Sequence, residues 1–395
     1  MDKILLACPC MPGLEKAFRE MGFKICKLEE PLEKLALEKT ISCIKECAEK
    51  EHMNYVFTFS FNPDLAEACF RFRVKYISWI WDSPHSVLWA KEARYETNYI
   101  FVFDYQMYVK QQARGLTHVF YLPLSADWET FQKKIAEDAD KSRERFGGDV
   151  TFLGNFYNDG RHDLYDQIQY LPPYVEGYME GLMNAQRKLW GADLLDTCIS
   201  DGVWAEFKKY VKWDLGDRYE EGYYESNMYN NIGQKVAQLE RKELCSCLAQ
   251  KFNFTVYSDC DTSFDPTIVN KGHADYVSEM PLIFHYSKIN IHVTIRCIPS
   301  GVALRVMDVL ASEGFLLTNY QPEIAEYFED GKELVMYSDF EDLYEKIAYY
   351  LEHEEERKAI AHAGYLKVRE YFSYKNQLET MMGVVKQDEE SCDHS

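Results

Sequence analysis

The stretch INIHVTIRCIPSGVALRVMDVLASEGFLLTNYQ, residues 289–321, contains the pattern that decides the fold of this chain. A mostly apolar run at Ile289–Thr294 predicts a buried strand, and a loop of small residues follows at Pro299–Gly301. Apolar residues at helical spacing predict a helix over Val302–Glu313, and Phe315–Thr318 predicts a second strand. Strand, loop, helix and strand together form a βαβ unit, in which the two strands are parallel.

The loop of this unit has the residues of a phosphate site. Gly301 lets backbone N–H groups approach a ligand closely, and the N-terminus of the helix behind it carries about half a positive charge. Arg296 and Arg305 add two permanent cations suited to a diphosphate. Asp308 lies one turn after Arg305, where its carboxylate can accept hydrogen bonds from ribose hydroxyls. The alternative is a surface ion pair between Arg305 and Asp308, which are three residues apart.

Composition narrows the classes of partner. The chain of 395 residues is long enough for two domains, and its 44 Lys+Arg against 65 Asp+Glu give a formal net charge of −21. A chain this acidic is a poor binder of nucleic acid or anionic membranes, so an anionic nucleotide would need a local basic pocket.

The same composition favours the cytoplasm. No run of residues approaches the ~18 apolar positions of a transmembrane span, and the start MDKILLACPC is too short in its apolar part for a signal peptide. The 12 Cys residues show no paired CxxC spacing of a zinc site. We therefore predict reduced thiols and a cytoplasmic location.

Residues 1 to about 125 alternate short apolar strands with helices, which predicts a parallel sheet. Ligands of such sheets gather beyond the carboxyl ends of the strands. Three loops are expected at that edge: Pro9–Gly13, Ser60–Asn62 and Asp82–His85.

The last of these loops offers a general base. Asp82 and His85 are placed where either side chain could accept a proton from an acceptor hydroxyl. The alternatives are that Asp82 caps the following helix and that His85 is a solvated loop residue.

Composition shifts along the chain predict the domain boundaries. A charged segment ending in Gly147–Gly148 separates a first domain, residues 1–148, from a second, residues 149–372. Within the second domain, residues of about 161–250 have apolar residues at helical intervals and no strand pattern. We interpret them as a helical insertion that shapes the acceptor side or a homodimer contact. A helix over 373–387 is expected to follow, and the acidic tail 388–395 is predicted to be disordered.

Three segments resemble the CgeB-like glycosyltransferases, which are part of the wider GT-B class. They are YISWIWDSPHSVL at 76–88, the strand and loop at 149–157, and the opening βαβ stretch with the run NYQPEIAEYFEDGKELVMYSDFEDLYEKIAYYLEHEEERKAIAHAGYLKV at 319–368. The resemblance implies two Rossmann-like domains with parallel sheets that face each other across a cleft. It also implies that the nucleotide-sugar binds the second domain and that the final helix crosses back to the first.

One position departs from the pattern of the class. In many retaining GT-B enzymes the matching loop opens with Glu, and a second Glu follows eight residues later. Ser300 and Asp308 occupy these two positions here. Asp308 matches the ribose-binding acid, whereas the role of the first Glu does not carry over to Ser300.

The resemblance also implies which residues touch the donor. The loop after the first strand of the second domain lies by the donor phosphates, and the end of the strand that contains Tyr257 lies near the base. The residues implied to bind the donor are Gly154, Asn155, Tyr257, Ser300, Gly301, Asp308, Asn319 and Tyr320. The residues expected to act in catalysis are Asp82 and His85 on the acceptor side, with Arg296 and Arg305 at the diphosphate.

We therefore predict a glycosyltransferase of hexosyl or related type that works without a metal or other cofactor. Its donor would be a UDP-, GDP- or dTDP-sugar and its acceptor a glycan, a protein or a small molecule. Asp259–Cys260–Asp261 has the spacing of a metal-binding Asp-x-Asp and is the one competing motif. The alternative function is a non-catalytic nucleotide- or sugar-binding scaffold of the same shape, and a nucleotide-sugar epimerase is a third interpretation.

Overall fold

The computed structural model describes residues 2–8, 11–28, 36–162, 164–168, 170–213 and 216–393, with side chains described as far as residue 388. In chain order, the strands are β1 (Lys3–Leu6), β2 (Lys24–Lys27), β3 (Tyr55–Phe59), β4 (Lys75–Ile80), β5 (Asn98–Val102), β6 (Val119–Tyr121), β7 (Val150–Leu153), β8 (Phe254–Tyr257), β9 (Val269–Asn270), β10 (Ile289–His292), β11 (Leu316–Asn319) and β12 (Val335–Tyr337).

The helices, also in chain order, are α1 (Pro12–Glu20), α2 (Leu37–Glu51), α3 (Pro63–Phe72), α4 (Tyr105–Ala113), α5 (Trp128–Asp138), α6 (Arg143–Phe146), α7 (Pro173–Gln186), α8 (Leu194–Cys198), α9 (Asp201–Tyr210), α10 (Tyr223–Lys251), α11 (Met280–Tyr286), α12 (Leu304–Ala311), α13 (Pro322–Tyr327), α14 (Phe340–Glu352), α15 (Glu354–Tyr371) and α16 (Tyr374–Asp393). None of the described helices combines the length and the apolar character that a membrane span requires.

The chain folds into two compact units, each built from separate stretches. Unit 1 consists of Met1–Asp127, Leu215–Ser226 and Phe372–Ser395, and unit 2 of Trp128–Asp214 and Asn227–Tyr371. Each unit contains one six-stranded sheet in which every pairing is parallel. The predicted pair of parallel α/β sheets is therefore confirmed.

The sheet of unit 1 has the order β2-β1-β3-β4-β5-β6. Its direction of winding reverses between β1 and β3, which is the switch point of a flavodoxin-like doubly wound sheet. The central strands are short apolar runs buried on both faces, as expected when helices cover both sides of a parallel sheet.

The sheet of unit 2 has the order β12-β11-β10-β7-β8-β9. Counted within the unit, this is the 3-2-1-4-5-6 order of a Rossmann sheet, and its switch point lies between β7 and β10. The core of this unit includes Val150, Val256, Ile291 and Leu317, one residue from each of its four central strands.

The βαβ unit in residues 289–321 is present as predicted. β10, α12 and β11 follow one another there, and β10 pairs with β11 in parallel register. The helix is shorter than the prediction and spans Leu304–Ala311. In the first domain the predicted helix from Leu32 begins at Leu37, and residues 29–35 lie outside the described part of the chain.

The division between the units differs from the predicted boundary at residue 148. The first unit ends at Asp127 because α5, although linked to it by sequence, packs on α11 and α12 of unit 2. The prediction also assigned all of 149–372 to the second domain, whereas residues 215–226 belong to unit 1. Contacts between segments that are far apart in the sequence leave no pattern in the local sequence, so the sequence did not predict them.

Residues 216–226, here called the strap, are fastened to unit 1 by charged pairs. Arg218 binds Asp64 at 2.5 Å and Glu92 at 2.8 Å. Glu220 binds Arg94 at 2.5 Å and Arg114 at 3.1 Å. The strap thus interrupts the predicted helical insertion with a stretch that belongs to unit 1, whereas the sequence on either side of it belongs to unit 2.

The C-terminal helix belongs to unit 1 and is longer than predicted. Its buried side consists of Leu378, Met381, Met382 and Val385. Asp388 accepts a hydrogen bond from the Tyr99 hydroxyl at 2.7 Å, and the helix continues to Asp393 instead of ending near residue 387. The predicted disorder from residue 388 is therefore not observed up to 393, and residues 394–395 lie outside the described range.

Candidate functional site

The switch point of unit 2 brings together the loops that follow β7 and β10. Neighbouring parallel strands end at the same edge of a sheet, and ligands of doubly wound sheets bind beyond this edge at the switch point. Residues 154–157 form the first loop and residues 293–303 the second. The phosphate-site residues predicted from the sequence fall in these loops or in the helix behind the second.

Arg241 of α10 joins the two loops. Its Nη1 donates to the Asn155 carbonyl and its Nη2 to the Val293 carbonyl, both at 2.7 Å. The residue is 7% exposed, and its buried Nε has no hydrogen-bond partner among the described residues. A guanidinium enclosed at this edge provides a fixed positive charge where a diphosphate would sit.

A glycine allows α10 to approach the second loop closely. A Cβ on Gly233 would lie 2.5 Å from the Cβ of Cys297, closer than two such atoms can approach. Asn230, on the same face, accepts a hydrogen bond from the Cys297 thiol at 3.5 Å. The loop between β10 and α12 is therefore positioned from several points along one helix.

His292 marks the electrostatic character of the switch point. Its Nδ1 lies 3.0 Å from the Thr318 hydroxyl, and the residue is 6% exposed at the end of β10. Burial, reinforced by the positive charges of Arg241 and Arg305, lowers the pKa of His292 to about 3. The imidazole is consequently neutral at physiological pH, and the positive field here comes from the two arginines.

Arg305 and Asp308 form the pair expected one turn apart on α12. The distance from Arg305 Nη1 to Asp308 Oδ2 is 3.3 Å, and the Tyr276 hydroxyl donates to Asp308 Oδ1 at 2.8 Å. Arg305 keeps 29% of its side chain exposed and remains available to a ligand, whereas Asp308 is buried. Burial raises the pKa of the Asp308 carboxyl to about 6, although Arg305 and Tyr276 act in the opposite direction.

The helix that contains this pair begins without a side-chain cap. Its N-cap residue is Ala303, and no described side chain bonds to the first turn in that role. The Val306 N–H donates to the Ala303 carbonyl at 3.0 Å, and the first N–H groups of a helix are donors of the kind that bind anions.

Arg296 forms a buried ion pair with Glu240. Its Nε donates to Glu240 Oε2 at 2.9 Å, and its Nη2 donates to the other oxygen of the same carboxylate. The guanidinium lies 5.0 Å from the Trp190 ring, and the two charged side chains are 5% and 0% exposed. Glu240 therefore engages this guanidinium in the interior of unit 2, and the contact of Arg296 with a diphosphate stays a prediction.

Ser300 is joined to a carboxylate that comes from another loop. Its hydroxyl donates to Glu323 Oε1 at 2.6 Å, and the Glu323 N–H donates to the Ser300 carbonyl at 3.2 Å. Both residues are at most 5% exposed. The carboxylate of Glu323 therefore lies beside the predicted Ser300–Gly301 turn.

Gly154 and Asn155 occupy the first loop, as predicted. The Gly154 N–H donates to the Tyr257 carbonyl at 3.1 Å, so this group is committed to the sheet. Asn155 uses Oδ1 to accept from the Tyr157 N–H and from the Cys260 thiol, which turns the loop and leaves its Nδ2 to donate to a ligand.

Tyr257 contributes to the core through its ring. The side chain is 4% exposed and packs with Phe146, Leu282 and Ile283. The ring is thus part of the core, and the contact of Tyr257 with a nucleotide base stays a prediction.

Asn319 and Tyr320 differ in their exposure. Asn319 is fully buried, where its Oδ1 accepts from the Thr294 N–H at 2.7 Å and so ties the end of β11 to the loop after β10. Tyr320 is 41% exposed, and its ring lies against Gly191, where a Cβ would be 2.8 Å from the Tyr320 ring. Of the two, Tyr320 is the one whose side chain remains exposed.

Asp82 and His85 lie at the corresponding edge of unit 1, after β4. His85 Nε2 accepts a hydrogen bond from the Phe61 N–H at 3.2 Å, and burial lowers the pKa of His85 against the influence of Asp82. Asp82 is exposed and does not cap the short 3-10 helix Ser86–Trp89, whose N-cap is His85. The carboxylate of Asp82 is therefore accessible to solvent.

The switch point of unit 1 has a constrained loop. Ser60 adopts a left-handed backbone with φ of 67°, and its hydroxyl accepts from Trp81 Nε1 at 3.1 Å. The Tyr76 hydroxyl accepts from the Asn62 N–H at 2.9 Å. Non-glycine residues in this backbone region concentrate at functional sites.

In the first loop of unit 1, a carboxylate of the same unit, that of Asp127, binds the start of α1. The Gly13 N–H at the start of α1 donates to Asp127 Oδ2 at 2.9 Å, and a Cβ at Gly13 would lie 2.2 Å from Asp127 Oδ1. Pro9, which was predicted at the same edge, lies outside the described residues.

The two carboxylates of the Asp-x-Asp motif have separate partners. Asp259 binds His273 at 3.0 Å, whereas Asp261 binds its own turn through Ser263. Cys260 between them is buried against Asn155. Across the described residues, no group of three or more His, Cys, Asp or Glu side chains is arranged to hold a metal ion.

The two doubly wound units define the GT-B class of fold, and solved structures share it along nearly the whole chain. HepE from Anabaena, in complex with UDP and glucose, has a TM-score of 0.53 and 9% identity, covering 98% of this chain and 100% of that one. A glycosyltransferase from Rickettsia africae has a TM-score of 0.51 and 12% identity, covering 98% of both chains. Sucrose-phosphate synthase from Thermosynechococcus elongatus has a TM-score of 0.51 and 10% identity, covering 99% and 100%.

These levels of identity establish the fold alone. A family model described as glycosyl transferase-like matches residues 238–383, which include α10 from Gln238 onward and the whole second loop. No curated protein sequence matches the chain.

Two polar residues of this site were missed by sequence reasoning. Arg241 lies in the middle of a long helix with no motif around it, and Glu323 lies 23 residues after Ser300. A glutamate just after Pro322, at the start of a helix that follows a strand, was the one available signal for Glu323.

Proposed function

We propose that this chain transfers a sugar from a nucleoside diphosphate sugar, with UDP as the nucleotide, to an acceptor. The observation that carries the proposal is the basic switch point of unit 2, where Arg241, Arg305 and the uncapped start of α12 meet at one sheet edge. The glycosyl transferase-like family model over residues 238–383 and the fold shared with HepE, which was solved with UDP and glucose, support the same activity.

Sugar transfer from a nucleoside diphosphate sugar requires positive charge beside the departing diphosphate. As the bond from the anomeric carbon to the diphosphate breaks, negative charge grows on the diphosphate oxygens. Arg305 and the N–H groups of α12 would stabilise that charge directly, and Arg241 would contribute a fixed field from behind the loops. These groups are preorganised by α10, so the protein need not reorganise during the reaction.

The remaining residues of the site have roles around this centre. Asp308 would accept hydrogen bonds from the ribose hydroxyls in its ionised form, and Tyr320 would contact the nucleotide from its exposed position. Ser300 and Glu323 would hydrogen-bond the sugar beside Gly301. On unit 1, Asp82 is the candidate acceptor-side base, because the Nε2 acceptor of His85 is already occupied.

Binding of UDP by an Arg305→Ala variant tests the donor site. We expect a loss of 10- to 100-fold in affinity by calorimetry, since a hydrogen bond to a charged group contributes about 1.5–3 kcal/mol. The matched control is Arg369→Ala, an exposed arginine of α15 in the same unit. Equal UDP affinity for wild type and Arg305→Ala would remove the proposed site.

Turnover then separates the enzyme from the binding protein. We expect the protein to release UDP from UDP-sugars, and mass spectrometry of the reaction mixture identifies the products. We propose that the reaction needs no metal, so the activity should be unchanged in excess chelator. UDP binding without any turnover of UDP-, GDP- or dTDP-sugars would favour a non-catalytic binding protein, a reading that the occupied Nε2 of His85 supports.

A further inference from the structure

A cavity lies in the helical part of unit 2. Its volume is about 440 Å³. Its walls are residues of the segment 164–168 together with Tyr170, the segment 210–213 at the end of α9, and the first turns of α10. Cavities of several hundred Å³ are the usual size for small-molecule sites.

The walls of this cavity, here called the insertion cavity, have exposed aromatic rings. Tyr170 is 81% exposed and Tyr210 is 48% exposed, and Trp213 lies beside them. Large aromatic side chains that remain in solvent next to a concave surface are characteristic of binding sites, because their burial by a partner is favourable.

The insertion cavity also has polar groups set among these rings. Asn231 lines it and is 4% exposed, with Nδ2 donating to the carbonyl and the side-chain oxygen of Asn227 at 3.0 Å. This leaves the Oδ1 of Asn231 as an acceptor for a ligand. Gln167 is a further amide in the lining, and Lys212 is the one charged side chain among the described lining residues.

The frame of the insertion cavity is fixed by contacts with α10 and α9. Lys235 of α10 forms an ion pair of 2.7 Å with Asp166, which holds the turn at 164–167 against the helix. Tyr165 in the same turn packs on the buried ring of Phe207 at 6.5 Å between centroids. A preformed frame lowers the entropy lost on binding.

The helix α10 connects this cavity to the donor site. Its C-terminal end leads into the first residue of β8, so its N-terminal half extends past the ligand edge of the sheet. Asn231 precedes Arg241 by ten residues, which is about 15 Å of helix. The cavity therefore lies on the ligand side of unit 2, at the distance of an extended oligosaccharide.

We propose that the insertion cavity binds a neutral sugar ring of the acceptor, at a distance from the ring that is glycosylated. The proposal rests on the proposed function. A pyranose ring has a C–H face that stacks on aromatic rings and a rim of hydroxyls that pair with amides. Tyr170, Tyr210 and Trp213 match the face, and Gln167 and Asn231 match the rim. The near absence of charge in the lining favours a neutral ligand over an anionic one.

Binding of maltopentaose, cellopentaose and chitopentaose, measured by saturation-transfer NMR and calorimetry, tests this site. We expect at least one to bind wild type, with affinity reduced at least tenfold in Tyr170→Ala and in Tyr210→Ala. Tyr174→Ala is the matched control, because this tyrosine of α7 is 63% exposed and does not line the cavity. Its affinity should stay within twofold of wild type, and all variants should keep the same unfolding temperature and UDP affinity.

Three outcomes would overturn the proposal. They are the failure of all three pentasaccharides to bind wild type, unchanged binding in both tyrosine variants, and conversion of a dimer to a monomer by those variants in analytical ultracentrifugation. The last would identify the tyrosines as a contact between two copies of the chain. Pentasaccharide binding by a protein with no UDP affinity would support the cavity and remove the transferase, so the two proposals fail separately.

Discussion

Individual residues at the switch point show how burial changes the role of a charged side chain. Arg296 and Arg305 lie nine residues apart and have the same chemistry, yet one is enclosed with Glu240 and the other stays partly exposed on α12. A buried guanidinium bound at both edges to a carboxylate has little left to offer a ligand. The positive charge expected from Arg296 is supplied instead by Arg241.

The buried Arg296–Glu240 pair is expected to stabilise the folded protein. We expect Arg296→Ala to lower the free energy of unfolding by about 3–5 kcal/mol, because it leaves the Glu240 carboxylate buried without its partner. The double variant Glu240→Gln/Arg296→Met should recover most of this loss in urea denaturation. If Arg296→Ala instead kept full stability and bound UDP ten times more weakly, the diphosphate contact would be restored to Arg296.

Asp308 makes a pH prediction through its pKa of about 6. This value lies above that of the unfolded chain, so the native state holds an extra proton between about pH 4 and pH 6. The stabilisation that this extra proton gives the native state is complete at low pH and is lost as the pH rises through 6. Between pH 5 and pH 7 we expect wild type to lose about 1 kcal/mol of unfolding free energy relative to Asp308→Asn.

Denaturation at several pH values measures this difference. Glu326→Gln, at an exposed position of α13, is the control and should track wild type at every pH. A constant difference between wild type and Asp308→Asn across the range would mean that the carboxyl is not protonated near pH 6. UDP affinity should increase over the same interval as Asp308 ionises.

At the scale of elements, α10 organises unit 2. It holds the loop after β7 through Arg241 and Gln238, and the loop after β10 through Arg241, Glu240 and Gly233. Its other end forms a wall of the insertion cavity. One helix therefore holds the loops after β7 and β10 and also lines the insertion cavity.

Gly233 tests this role of α10. We expect Gly233→Ala to destabilise the protein by about 1–3 kcal/mol and to weaken UDP binding, since the new methyl would force the helix away from Cys297. Gly181→Ala is the matched control, because Gly181 is also helical and has open space around its Cβ position. The control should gain about 0.5–1 kcal/mol from the better helix propensity. Equal behaviour of the two variants would show that α10 can shift without consequence.

At the scale of the whole molecule, the chain builds its units from distant stretches. Unit 1 depends on α16, which buries Leu378, Met381, Met382 and Val385 at most 2% exposed. Tyr374 of the same helix packs on Trp79 in the centre of the unit 1 sheet at 6.2 Å between centroids. A stretch at the end of the sequence therefore completes the core of a unit formed mainly by its beginning.

Truncation of the chain after Tyr371, which removes α16, tests whether unit 1 depends on this helix. The four buried side chains of α16 represent about 6–12 kcal/mol of apolar burial, which is comparable to the whole stability of a domain. We expect unit 1 to lose its cooperative transition in calorimetry and its amide protection in hydrogen exchange, while unit 2 keeps both. Truncation after Asp388 is the control and should leave both transitions in place. Persistent amide protection in β3 and β4 without α16 would contradict this dependence.

Local pattern alone determined much of this protein. Apolar runs of four to six residues alternating with amphipathic helices predicted the parallel sheets, and residue spacing predicted that Arg305 and Asp308 lie one turn apart on the helix behind the small-residue loop. These features depend on neighbours within a few residues, so the sequence contains them directly. The narrower resemblance to CgeB-like enzymes stays a prediction.

Tertiary structure alone decided which charged groups reach the site and which stretches share a unit. Arg241, Glu323 and the strap act across separations of tens to more than a hundred residues, and Arg296 is removed from the site by a partner 56 residues away. Burial and ion pairing are properties of assembled elements, because the free energy of a charge depends on what surrounds it in space. Spacing along the chain identifies the cations that are present, and only packing determines which of them a ligand can meet.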